Sequence, residues 1–293
     1  MVVVLGRHAM RDVSPIRSIS MPLDESGTRT GSQRFAILDG AFDEDLAMQI
    51  YLKANDGLPT WHPLVIDTPY ADLYKASPCL VLCEGHSALI DYASAMLGQL
   101  DAGCVLWLEE GVHPDQAAAH CRSLLSARDE RNQQRMFRFY EPRWLEPLFS
   151  VISQDEARAF LGPFSAIAWR NERGWRQVFR AGTWSGEIKE HGWFWLDGER
   201  QAQLGHARLP LIAARLASDY QPYHPAATEE RVLEALLQAS KWGYDDLASQ
   251  ERWLRMELQA PAGSLSSDRA QQILTRPDLA KGEKLDELER TIA

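Results

Sequence analysis

The sequence predicts an α/β lobe, a mixed or parallel sheet layered with helices, followed by a β-hairpin region and a C-terminal all-helical lobe. Three observations carry this. From Phe35 short apolar runs alternate with amphipathic segments. Between residues 171 and 197 a Trp- and Gly-rich stretch shows no helical period. From residue 198 onward apolar residues recur at helical spacing alone. These changes divide the chain into an N-terminal arm, 1–34, an α/β lobe, 35–197, and a helical lobe, 198–293.

The arm ends in "DESGTRTGSQ", a polar stretch without periodicity, and reads as loosely held, flexible chain. "FAIL" then reads as a strand, and Asp43 caps a helix carrying Leu46, Ile50 and Tyr51. "CLVL" is the next strand, and Ser87 opens a helix with Leu89, Ala93, Met96, Leu97 and Leu100 on one face. "CVLWL" follows as a strand, and Pro114 starts a helix with Ala117, Cys121, Leu124 and Leu125 aligned. "MFRFY" reads as a strand, "PRWLEPLFSVI" as a helix and "FSAIAW" as the last strand of the lobe. "WRQVFRAGTWSGEIKEHGWFW" reads as a β-hairpin or meander. In "TEERVLEALLQASKWG", Thr228 with Arg231 makes half of a capping box, and Val232, Leu233, Leu236 and Leu237 form an apolar stripe. Two or three more helices follow, interrupted by Pro261, Gly263 and Pro277.

Composition narrows the function. A formal net charge of −10 argues against a nucleic-acid binder, which needs a basic face to release counterions. The charge is uneven: from Arg122 to Arg180 there are eleven Arg and no Lys against seven acids, a distribution suited to a protein partner. Cys79, Cys83, Cys104 and Cys121 lie in or beside apolar runs without metal-type spacing and read as reduced core thiols. "MVVVLGRHAM" has too short an apolar run for a secretion signal, and no run is long enough for a membrane span, so the expected location is the cytoplasm.

The search for catalytic motifs returns little. The chain has no Gly-rich phosphate loop and no Gly-x-Ser-x-Gly elbow; in "EGHSA", Ser87 reads as a helix cap beside His86. His113 and His120 are seven residues apart, too far for two metal ligands on one helix turn, and "EIKEH" has Glu187, Glu190 and His191 in the wrong order for a metalloprotease. No cofactor or metal is expected. Glu109 and Glu110, at the end of "LWLEE", are the best carboxylates for a hydrolase, although neighbours on a strand point to opposite faces.

One stretch stands apart. "RMFRFYEPRWLEPLF", Arg135 to Phe149, packs three Arg and five aromatics into a strand-to-helix joint. Period-two alternation puts Met136, Arg138 and Tyr140 on one face and Phe137, Phe139 and Glu141 on the other, as for a strand covered on both sides. An Arg there needs a carboxylate, and Asp39 at the end of "FAILD", Glu109 and Glu110 are the candidates. Pro142 suits the first turn of a helix, and Glu141 beside that N-terminus is favoured by the macrodipole. Arg138, Tyr140, Glu141, Pro142 and Asp39 thus form an expected structural joint. Arg143, with Arg122 and Trp144, is expected to face a partner.

The same residues carry a family resemblance. "FAILDGA", "LWLEE" leading to "HCRSLL", "MFRFYEPRWLEPLF" and "FLGPFSAIAW" resemble the successive motifs of the bacterial type VI secretion effector adaptor family, also called effector chaperones (Tap/Tec type). The likeness runs from Phe35 to Trp169, and "ALLQASKWGYDDLASQERWL" is similar to the helical tail of the same proteins. This chain has Glu141 where the family usually has Asp, and His120-Cys121-Arg122 for the family's His-Leu-Arg. The resemblance implies a non-enzymatic cytoplasmic carrier. It would bind a toxic effector, often through the effector's N-terminal region, and deliver it to the valine-glycine repeat spike protein (VgrG), without nucleic acid or membrane. A hydrolase using Glu109 and Glu110 and a structural baseplate subunit are the alternatives.

Overall fold

Consecutive rather than alternating apolar positions mark the central strands, and their side chains enter two different cores. The computed structural model describes residues 16–23, 33–54, 57–98, 102–261 and 263–292. Most of the expected arm, including residues 24–32, lies outside them. The chain divides into two units, 1–204 and 205–293.

In the first unit seven strands form one sheet: β1 (Arg17–Ile19), β2 (Gln33–Asp39), β3 (Trp61–Pro63), β4 (Pro78–Leu82), β5 (Gly103–Leu108), β8 (Phe164–Asn171) and β9 (Gly174–Phe179). Their order is β1-β9-β8-β5-β2-β4-β3, and every neighbouring pair is antiparallel. Alternate residues of β2 serve the two faces: Phe35 and Ile37 join one core cluster, Ala36 and Leu38 the other. The first face is covered by α3 (Pro114–Leu124), α4 (Pro142–Val151) and α5 (Gln154–Leu161), the second by α1 (Leu46–Lys53) and α2 (Ser87–Gly98). The layered α/β class holds, with an antiparallel central sheet in place of the mixed or parallel one expected. Runs such as "FAIL" and "CVLWL" report burial on both faces, which helices on both sides supply whatever the strand direction. Connections do the rest: α2 carries the chain from β4 across β2 to β5, so β4 and β5 run the same way on either side of an antiparallel β2.

A second, three-stranded sheet contains β6 (Ser126–Arg128), β7 (Gln134–Met136) and β10 (Phe194–Trp195), with β6 antiparallel to β7 and parallel to β10. This corrects the reading of "MFRFY" as a strand of the main sheet. Only Met136 is in a strand; Phe139 and Tyr140 sit in a turn and are both buried in the same core, whereas strand alternation would send them to opposite faces. The Trp-rich stretch also divides: β9 closes a hairpin on β8, while β10 joins the small sheet. Residues 17–19, within the expected arm, form an edge strand on β9.

The second unit is helical. It holds the continuation of α6 (Gly198–Tyr220), within which the unit boundary falls, then α7 (Glu229–Lys241), α8 (Leu247–Gln259), α9 (Asp268–Leu274) and α10 (Lys281–Ile292). Val232, Leu236, Trp253, Leu254 and Leu288 are buried in its core. Thr228 accepts from the Arg231 backbone N–H, the half cap expected from the sequence.

Candidate functional site

The joint between β7 and α4 is organised by two buried carboxylates. Asp39 ends β2 and is about 1% exposed; Glu141 precedes α4 and is about 2% exposed. Each must meet cations or N–H donors, since a bare charge at that depth is very costly. Arg138 supplies both: Nη2 donates to Asp39 Oδ2, and Nη1 lies 2.9 Å from Glu141 Oε1. The Ala41 backbone N–H also donates to Asp39, at 3.0 Å. Arg138 Nε donates to the Tyr140 hydroxyl at 3.3 Å. Burial alone would lower the guanidinium's pKa, but Tyr140, Asp39 and Glu141 outweigh it and hold it above the ordinary value. Burial, with Asp39 beside it, pushes the Tyr140 phenol well above its ordinary value, so the ring stays neutral.

Arg143 approaches Glu141 from the other side, Nε donating to Oε2 at 2.8 Å. Glu141 is therefore clamped between two guanidinium groups while about half of the Arg143 side chain stays in solvent. Pro142 occupies the first position of α4 and holds Glu141 in extended backbone (φ −69°, ψ 120°), which aims its carboxylate back at Arg138.

Beside this joint lies an open cavity of about 500 Å³, lined by Met136, Phe137, Arg138, Glu141, Arg143 and Trp144, with Leu196, Gln201 and Leu204 opposite. Aromatic packing backs its wall: Phe137 stacks on Phe194 at 5.6 Å between centroids, and Phe194 meets Phe160 edge-on. The groove thus joins a guanidinium rim to an apolar wall, a pairing suited to a protein surface.

The other expected site residues lie elsewhere. Arg122 is half-buried on α3, where its Nη2 reaches the Pro63 carbonyl at 3.5 Å, so it does not share the groove. Glu109 receives Arg180 Nη2 and, at 3.4 Å, the Trp184 N–H, while Glu110 is exposed in the following turn. Asp39, not either of these, takes Arg138. His120 is buried, with Nε2 2.9 Å from the Phe160 carbonyl; burial lowers its pKa to about 4, leaving a neutral ring. Its ring lies where a Cβ on Gly162 would fall, which with φ +51° explains that glycine. Among the described residues there is no group of three or more His, Cys, Asp or Glu placed to hold a metal ion. No helix among them is long and apolar enough to cross a membrane.

Sequence reasoning missed Leu196, Gln201 and Leu204. Leu196 comes from the β10–α6 connection and Gln201 and Leu204 from the first turns of α6, and their only sequence signal is the apolar spacing of Leu196 and Leu204 around a helix start. Residues 34–159 match the model of a family described as a domain of unknown function (DUF4123). No curated protein and no solved structure matches the chain. The matched segment runs from β2 into α5 and contains Asp39, Arg122 and the whole joint from Arg138 to Trp144.

Proposed function

We propose that this protein is a non-enzymatic adaptor of type VI secretion. In the cytoplasm it binds a toxic effector, through the effector's N-terminal region, keeps it soluble and helps load it onto the valine-glycine repeat spike protein. The observation that carries this reading is the segment at 34–159, which matches a domain known in type VI secretion effector adaptors and supplies the guanidinium side of the groove, from Met136 to Trp144. The groove supports it physically. Trp144 and Phe137 offer aromatic area, and the exposed half of Arg143 offers a planar fork for a carboxylate or backbone carbonyls of the effector.

The pairing of Arg143 with Glu141 decides which substitution tests the groove. Arg143→Glu would set a second negative charge against a buried carboxylate and disturb the joint, so Arg143→Gln is the cleaner change. Coexpression with a candidate toxic effector is the test. The effector should be soluble only with this protein, and Arg143→Gln should weaken the complex at least about 10-fold, the scale of one lost charge-assisted contact. Deletion that leaves effector solubility and secretion unchanged would end the adaptor reading.

A further inference from the structure

Exposed apolar side chains are concentrated far from the groove in sequence. Of the thirteen large hydrophobics exposed among the described residues, eight fall between Phe42 and Tyr74. Met48, Tyr51 and Leu52 share the outer face of α1, at 50%, 51% and 70% exposure, while Leu46 and Ile50 face the core. The Tyr51 ring meets Trp61 of β3 edge-on at 5.7 Å. A cavity of about 120 Å³ then links α1, β3 and the short 3-10 helix Ala71–Ala76, which leaves Leu73 and Tyr74 about half exposed. Scattered exposed apolar residues need no explanation, but a set joined across three elements does.

Two observations select the occupant. The first is backbone chemistry. β3 is the edge of the sheet, and Leu64 N–H and Thr60 C=O bond to β4, so by antiparallel alternation Trp61 and Pro63 face outward. Pro63 has no N–H, and its carbonyl receives Arg122. An added strand finds little to pair with, whereas a helix docking through side chains needs no edge. The second is charge: residues 42–75 carry six acids, among them Asp43, Glu44, Asp45 and Asp72, against Lys53 and Lys75. An acidic rim favours a cationic partner and repels an anionic lipid surface.

We propose that α1, β3 and the 3-10 helix form a docking surface for a basic amphipathic helix of a partner protein. Its apolar face covers Met48, Tyr51, Leu52 and Tyr74, and its Lys and Arg residues meet the acids at the rim. The surface is separate from the groove and stands whether or not the groove binds an effector.

The test uses the full chain and a fluorescent helical Leu/Lys peptide with Leu at helical spacing, read by anisotropy. A scrambled peptide and a Leu/Glu peptide serve as controls. The ordered Leu/Lys peptide should bind, weakening at least about 10-fold with M48E/L52E and, independently, with E44K/D72K, both of which keep the wild-type melting temperature. Arg143→Gln should leave this binding unchanged. Equal binding of the scrambled peptide, or unchanged affinity in both double variants, overturns the proposal. So does self-association that M48E/L52E abolishes, which would make a second copy the occupant, or binding to anionic vesicles that the same variant removes.

Discussion

Arg138 meets two carboxylates that the fold has withdrawn from water, so its removal is felt beyond the contacts it makes itself. Arg138→Ala is expected to lower stability by about 3 kcal/mol, the low end of the range for breaking a buried pair, since the guanidinium is itself partly exposed. Urea unfolding would check this, and an unchanged midpoint would show that Asp39 and Glu141 are solvated without it. His120 makes a second prediction through its depressed pKa. The unfolded ring takes up a proton near about 6.5, and the folded one refuses it until about 4. Stability from this group is therefore complete above the unfolded value and lost as pH falls between the two. His62 is shifted in the same direction, chiefly by burial, so the informative quantity is a difference. From about pH 7 to about pH 5 the wild type should lose about 2 kcal/mol more than His120→Gln, whose amide can still donate to the Phe160 carbonyl. Parallel loss in the two proteins would refute a neutral buried ring. At this scale the sequence was informative wherever charge met an apolar run: Asp39 closing "FAILD" was legible as a partner for Arg138. The sharing of Glu141 between Arg138 and Arg143 was not, because it depends on a turn at Phe139 and Tyr140 that period-two alternation does not describe.

Among the elements, those with chemical punctuation were readable and those defined by partners were not. Ser87, Pro114, Pro142 and Thr228 lie at helix starts, as the sequence indicates, but Asp43 does not cap α1, which starts after Asp45 without a side-chain cap. The helix α5 went unread even though Ser153 and Glu156 spell a capping box. The Ser153 hydroxyl accepts from the Glu156 N–H, and the Glu156 carboxylate accepts from the Ser153 N–H at 2.8 Å. Ser153→Ala should cost about 1 kcal/mol, measurable by chemical unfolding. A loss within error would mean that packing of Ala157, Phe160 and Leu161 alone defines the start of α5. Three-residue strands such as β3 and β7 carry too few positions for a period to emerge, and their assignment depends on β4 and β6 beside them. Strand direction was likewise illegible, since residues buried on both faces look alike in parallel and antiparallel sheets.

For the whole molecule, the switch from alternating to purely helical periodicity was visible near residue 198, while the contact boundary falls at 204/205, inside α6. Leu204 explains the offset: it lies on a helix but is buried in the core of the first unit. The four cysteines are free and buried, and burial raises the thiol pKa of each, to about 12 for Cys79 and Cys83, so none is poised as a nucleophile near neutral pH. The pairing of β1 with β9 sets a timetable. Arg17 stands opposite Gln177 and Ile19 opposite Trp175, so β1 finds its neighbour only when the rest of the sheet has left the ribosome. At typical elongation rates that wait is on the order of ten seconds. A contact that closes so large a loop is expected to form after the folding barrier, so Ile19→Ala should speed unfolding and leave refolding nearly untouched in stopped-flow traces. Slower refolding would instead place β1 in the nucleus. If β1 closes last, β9 is left as an unsealed edge until it does, and that interval, more than the finished fold, is when this protein is most open to mispairing with another copy of itself.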